Sequence, residues 1–103
     1  MKLEKFIWYS DKGKHEEWWF PNGVLHREEG PAVIWYGSSG NKLYEEWRNG
    51  GCLHREDGPA IIHYNEDGNI YAKQYWIMGQ EIAEDKWKIS KLPDTKIKKA
   101  LYG

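Results

Sequence analysis

The sequence predicts a mainly β protein. The expected fold is an antiparallel β-hairpin repeat sheet of about six strands, closed by one or two C-terminal helices. Three observations predict it. First, Gly23–Tyr36 (GVLHREEGPAVIWY) returns 28 residues later as Gly51–Tyr64 (GCLHREDGPAIIHY), with ten of fourteen positions identical. A period of this size marks repeat architectures, in which neighbouring units bury one another's faces. Second, seven Trp, seven Tyr and two Phe stand beside eleven Gly in 103 residues. A core must then come from a few large rings, and short strands joined by tight turns are favoured. Third, the segments SDKGK (10–14), GSSGN (37–41) and NEDGN (65–69) separate the apolar runs. Gly and Asn supply the positive φ that tight hairpins need.

Taken in order, the strand candidates are Lys5–Tyr9, His15–Phe20, Ala32–Tyr36, Lys42–Trp47, Ala60–Tyr64 and Ile70–Ile77. The repeat extends beyond its best-matched part. Glu17 and Trp19 align with Glu45 and Trp47, Gly40 and Asn41 with Gly68 and Asn69, and Trp47–Gly50 has an echo in Trp76–Gly79. Ile7, Trp8 and Tyr9 align with Ile34, Trp35 and Tyr36. Alternation puts Ile7/Tyr9, Ile34/Tyr36 and Ile62/Tyr64 on one face and Trp8, Trp35 and His63 on the other. The Ile/Tyr ladder repeats in every unit and is assigned to the buried face; the other face is expected to be partly open. Beyond Gly79 the period changes. IAEDKWKISKL (82–92) reads as a helix with Ala83, Trp87 and Ser90 on one stripe, ended by Pro93. Asp94 can cap a second helix, TKIKKALY, with Ile97, Ala100 and Leu101 on one side. The chain is expected to form one domain over 1–103, with a repeat sheet over 5–80 and a helical cap over 81–103. The cap is expected to lie on the Ile/Tyr face.

Charge narrows the function classes. Fifteen Lys and Arg against sixteen Asp and Glu give a net charge of −1, which disfavours a general nucleic-acid binder. Residues 1–85 carry 9 basic and 15 acidic groups, net −6, and residues 86–103 carry six Lys and Asp94, net +5. The basic end is expected to dock on the acidic sheet. No apolar run approaches the roughly 18 residues of a membrane span, so no membrane partner is expected. The start, MKLEKFIWYSDKGK, does not read as a secretory leader, and the single Cys52 suits a reducing compartment. A cytoplasmic location is expected.

The motif W-x-x-N-G-x-L-H-R-x-x-G-P-A, spelled by Trp19-Phe20-Pro21-Asn22-Gly23-Val24-Leu25-His26-Arg27-Glu28-Glu29-Gly30-Pro31-Ala32, resembles the MORN-variant repeats of bacteria, phages and giant viruses. The second copy, Trp47-Arg48-Asn49-Gly50-Gly51-Cys52-Leu53-His54, departs by one inserted residue. The resemblance covers about residues 5–85, and Met78 stands where the motif expects Asn. It implies antiparallel hairpins laid side by side and a binding scaffold rather than an enzyme class. A short chain of this kind is expected to be a small phage or mobile-element protein, and such proteins often bind and inhibit a host protein, frequently a defence component, in the host cytoplasm.

The residues themselves offer few chemical motifs. His26-Arg27 and His54-Arg55 could act on a phosphodiester, but a pair copied with each repeat reads as architecture. In that reading the His bonds a loop carbonyl, the Arg stacks on a neighbouring Trp or pairs with an acid from the next repeat, and Gly30 and Gly58 supply unusual φ. His15, His26, His54 and His63 show no metal-ligand spacing, and no phosphate-binding glycine loop is present. No cofactor, metal or catalytic residue is expected. The expected binding surface is Trp8, Trp35 and His63, rimmed by Arg27 and Arg55, since exposed aromatics beside Arg have the composition of interface hot spots. The alternatives are a nucleotide-sequestering binder, a His-Arg phosphodiesterase or nuclease, and a structural subunit that forms homo-oligomers through sheet edges.

Overall fold

A computed structural model describes residues 2–93. The expected mainly β fold is what it shows. Strands β1 (Glu4–Ser10), β2 (Gly13–Trp19), β3 (Val33–Gly37), β4 (Lys42–Glu46), β7 (Ile61–Tyr64), β8 (Ile70–Ile77) and β9 (Gln80–Ile82) form one antiparallel sheet in that order. Between β4 and β7 the chain makes a small separate pair, β5 (Arg48–Asn49) with β6 (Cys52–Leu53). The molecule measures 54 × 36 × 18 Å, the proportions of a single sheet with side chains on both sides.

The three short strands were not legible as strands. Each belongs to a two-residue hairpin, closed by Gly50-Gly51 or by Met78-Gly79. All four of these residues have positive φ, the conformation that matches the twist of paired strands. Strands of two or three residues are too short to show an alternating pattern.

Register explains the faces. Across β1 to β8 one row runs Ile7, Glu16, Ile34, Glu45, Ile62 and Lys73. Ile34 and Ile62 are each 5% exposed, and Ala32, Ala60 and Tyr75 are buried with them. The Ile/Tyr assignment needs correction at its ends. Ile7 is 43% exposed and Tyr9 is exposed, because β1 is an edge strand with a neighbour on one side only. Tyr36 and Tyr64 are half-buried.

The row also contains two buried carboxylates. Glu16 meets Lys14 at 3.0 Å and Lys5 at 3.4 Å. Glu45 accepts from Tyr64 Oη at 2.8 Å and Trp47 Nε1 at 3.3 Å, and pairs with Lys42 at 3.1 Å. Long side chains thus satisfy each charge while covering the isoleucines.

The alignment at Trp19 is corrected too. The Trp18 N–H donates to the Ala32 carbonyl and the Trp47 N–H to the Ala60 carbonyl. Trp18, not Trp19, is therefore the counterpart of Trp47, and Glu16 that of Glu45. The extra residue lies in the first copy, between Trp18 and Gly23.

The helix α1 (Glu84–Ser90) is shorter than expected. Glu84 and Asp85 in its first turn and Lys88 in its last complement its dipole. Trp87 packs on Tyr75 at 4.5 Å between ring centroids, on the isoleucine face, as the stripe predicts. The expected second helix, with Asp94, Ile97 and Leu101, lies outside the described residues. No helix among the described residues is long and apolar enough to cross a membrane.

Candidate functional site

The opposite face carries the candidate site. One position along each strand from the isoleucine row, Trp8, His15, Trp35, Tyr44 and His63 stand directly opposite one another. Their rings form a chain. Centroid separations are 5.2 Å for Trp8–His15, His15–Trp35 and Trp35–Tyr44, and 5.0 Å for Tyr44–His63. Phe6 extends it at one end, 6.0 Å from Trp8, and Tyr71 at the other, 5.8 Å from His63. Seven rings therefore cross six neighbouring strands, a ribbon of roughly 24 Å at about 4.8 Å per strand. Trp8 and Trp35 are each 49% exposed, and Phe6 and Tyr71 are exposed as well. Tilted rings at this spacing hold one another by edge-to-face contact and present a continuous apolar strip.

Sequence reasoning found Trp8, Trp35 and His63 and missed Phe6, His15, Tyr44 and Tyr71. Phe6 was legible, two residues before Trp8 on the same strand. His15 and Tyr44 required the pairing register. Tyr71 required more. A β-bulge between His63 and Tyr64 places two residues of β8, Tyr71 and Ala72, opposite one of β7. The bulge brings Tyr71 onto the ribbon face, where strict alternation would have put it on the other. The same irregularity occurs one unit earlier, between Trp35 and Tyr36, around Leu43.

At the centre of the ribbon His15 Nε2 lies 3.0 Å from Trp35 Nε1 and 2.7 Å from Glu17 Oε2. It accepts from the indole when Nε2 is bare and donates to the carboxylate when Nε2 is protonated. Tyr44 donates to Glu46. Burial, together with that neighbouring carboxylate, pushes the Tyr44 hydroxyl far above its ordinary pKa, so the ribbon keeps a neutral phenol there.

Arg27 and Arg55 do not rim this surface. The Arg27 guanidinium lies 3.9 Å over the Trp18 ring and that of Arg55 3.8 Å over Trp47. Both indoles belong to the face that carries Glu16 and Glu45. Each guanidinium also donates through Nη1 to a proline carbonyl, Pro31 or Pro59, at 3.2 Å. A Cβ on Gly30 or Gly58 would come within 2.9 Å of the guanidinium carbon. A side chain there would displace the guanidinium from its place over the indole, and the expectation of an unusual φ is corrected, since neither glycine has a positive φ.

The histidines of the motif are corrected similarly. His26 Nδ1 accepts from the Gly50 N–H at 2.8 Å, and His54 Nδ1 accepts from the Met78 N–H at 3.0 Å. Each ring holds the left-handed turn of the next unit rather than a loop carbonyl. The Gly51 and Gly79 N–H groups donate to the carbonyls of Leu25 and Leu53. The L-H-R segment is thus a clasp between successive units. Among the described residues, no group of three or more His, Cys, Asp or Glu side chains is placed to hold a metal ion. Comparison with protein-family models, with curated proteins and with solved structures gives no match for this chain.

Proposed function

We propose that this chain is a non-catalytic protein-binding module whose partner docks on the aromatic ribbon. The observation that carries the reading is the unbroken, half-exposed row of seven rings from Phe6 to Tyr71. Rigid aromatic anchors bury much area with little loss of rotamer freedom, and large exposed apolar strips mark interaction sites. The acidic balance of residues 1–85 favours a partner surface that is apolar with a basic surround. Two features set this reading above a His-Arg phosphodiesterase. Both motif imidazoles already accept a backbone N–H, and both guanidinium groups are held between an indole and a glycine. The resemblance to MORN-variant repeats supports a scaffold role, and in a phage or mobile-element setting the partner is a host protein that the module inhibits.

The test compares capture from lysate by the wild-type protein and by Trp35→Ala, with folding of the variant checked by its thermal transition. A protein enriched by the wild type and lost from the folded variant supports the reading. A partner retained equally by both, or no protein enriched over an unrelated control, overturns it.

A further inference from the structure

We propose that the end of the aromatic face at β1 and β2 is a cation site, one that takes a trimethylammonium group. The proposal rests on the reading of this face as a binding surface and names what one end of it receives.

A cleft of about 550 Å³ opens there, walled by Phe6, Trp8, Trp19 and Phe20 and bordered by Glu4 and Glu17. Hairpin register interleaves rings and carboxylates: Glu4 stands opposite Trp19, and Phe6 opposite Glu17. Ring faces carry partial negative charge and attract cations, indoles most strongly. Glu17 adds a carboxylate in a fixed position, beside His15, which also lines the cleft. Its Oε1 accepts from Trp19 Nε1 at 2.8 Å, and its Oε2 lies 2.7 Å from His15 Nε2. Its side chain is largely buried, so the charge acts through a medium that screens it less than water does.

Among the described residues, no Lys or Arg lines this cleft. The hollow on the opposite face, by contrast, is bordered by Lys5 and Arg27 beside Glu28 and Glu29. The opposite hollow thus balances two basic against two acidic groups, whereas the ribbon-face cleft has two carboxylates and no Lys or Arg among its described lining residues. Methylation decides the kind of cation. An unmodified ammonium must replace the hydrogen bonds it leaves in water; ring faces do so poorly, and both Glu17 oxygens already face His15 or Trp19, so Glu4 alone of the two carboxylates is left to accept. A trimethylammonium has no such bonds to replace, and its methyl groups pack against the rings. The volume falls in the usual range for small-molecule sites. The group has two natural sources, a trimethylated lysine of a protein partner and a free choline-type compound.

The test follows the indole N–H resonances of the isotopically labelled protein during titration with choline and with its uncharged carbon isostere, in which a tert-butyl group replaces trimethylammonium. Choline is expected to shift the Trp8 and Trp19 signals saturably and to bind at least about threefold more tightly than the isostere. The double variant Glu4→Gln/Glu17→Gln, which keeps an acceptor for Trp19, is expected to weaken that preference, with the rings supplying what remains. Equal binding of the two probes, shifts that do not saturate, or an unchanged preference in the double variant overturns the proposal. A peptide with one trimethyllysine supplies the second arm. Tighter binding than choline assigns the cation to a protein partner, and weaker binding assigns it to a free compound; either supports a trimethylammonium site. Trp35 lies outside the cleft. If capture depends on Trp35 while choline fails to bind, the cation site alone falls. If choline binds while capture ignores Trp35, the ribbon reading alone falls.

Discussion

The two faces of the sheet are written by alternate residues of the same strands, and they solve the problem of exposed surface differently. On one, Ile34 and Ile62 are interleaved with Glu16 and Glu45, and lysines, tyrosines and Trp87 fold over them. On the other, the rings of Trp8, His15, Trp35, Tyr44 and His63 lean on one another and stay half in solvent. A single-layer sheet of this size has little interior, so one face must act as the core. The isoleucine face does so because its carboxylates recruit long cationic side chains as a cover. The aromatic face has no such chemistry among its row residues. Its rings satisfy one another sideways, which leaves their outward surface available.

Truncating one residue from the central row of each face should expose this asymmetry most strongly. Ile62→Ala leaves a cavity beneath Tyr64 and between Glu45 and Lys73 and should cost about 2–4 kcal/mol in urea unfolding. Trp35→Ala removes more atoms but from a half-exposed site. It should cost about 1–2 kcal/mol, the scale of its two ring contacts, while abolishing partner capture. Equal losses would mean that both faces serve as core and that the ribbon is not a free surface.

Acid should then distinguish the faces. Burial raises the Glu45 carboxyl, but hydrogen bonds from Tyr64 and Lys42, with the Lys42 charge, more than offset it, and its pKa falls below the ordinary 4.5. Glu16 behaves alike: burial raises it, and Lys14 and Lys5 bring it below 4.5. A carboxyl lowered by folding contributes stability that is fully present above its unfolded pKa and is lost as pH falls through the folded one. Stability should therefore hold down to about pH 5 and decline below it, and Glu45→Gln should flatten that decline. The partner Tyr64, pushed up to about 12 by burial and by Glu45, stays a donor throughout. An acid profile unchanged in Glu45→Gln would remove the carboxylate cover from the account.

Much of this was legible. The recurrence of Gly23–Tyr36 as Gly51–Tyr64 and the glycine-bearing turns located six of the strands, because period, turn chemistry and alternation agree there. What failed did so for local reasons. Alternation breaks at a bulge, which hid Tyr71. A loop one residue longer shifted the match from Trp18 to Trp19, since two adjacent indoles are indistinguishable to an alignment. Arg27 was sent to the wrong face because a side chain that long can reach a ring on either side, and only its stacking on Trp18 shows which. The buried carboxylates went unseen because Glu16 and Glu17 are neighbours, and only pairing decides which one turns inward.

The smallest expected effect tests whether the two clasps are the same device. His26 holds the turn at Gly50, and His54 holds the turn at Met78. The two turn residues have similar φ, 58° at Gly50 and 47° at Met78. Glycine adopts that conformation freely, whereas a residue with a Cβ pays roughly 1–2 kcal/mol for it. The Met78 side chain is 62% exposed, so it gains little from burial in return. Met78→Gly removes the strain but adds freedom to the unfolded chain, which takes back roughly 0.5–1 kcal/mol. The net expectation is a gain of about 0.5 kcal/mol, or about 2–4 °C in thermal midpoint. His54→Ala, which leaves the turn N–H without its acceptor, should then cost the same in the Met78→Gly background as in the wild type. A loss of stability on Met78→Gly would show instead that the methionine side chain, and not only its backbone, secures the last unit, and that the two clasps differ.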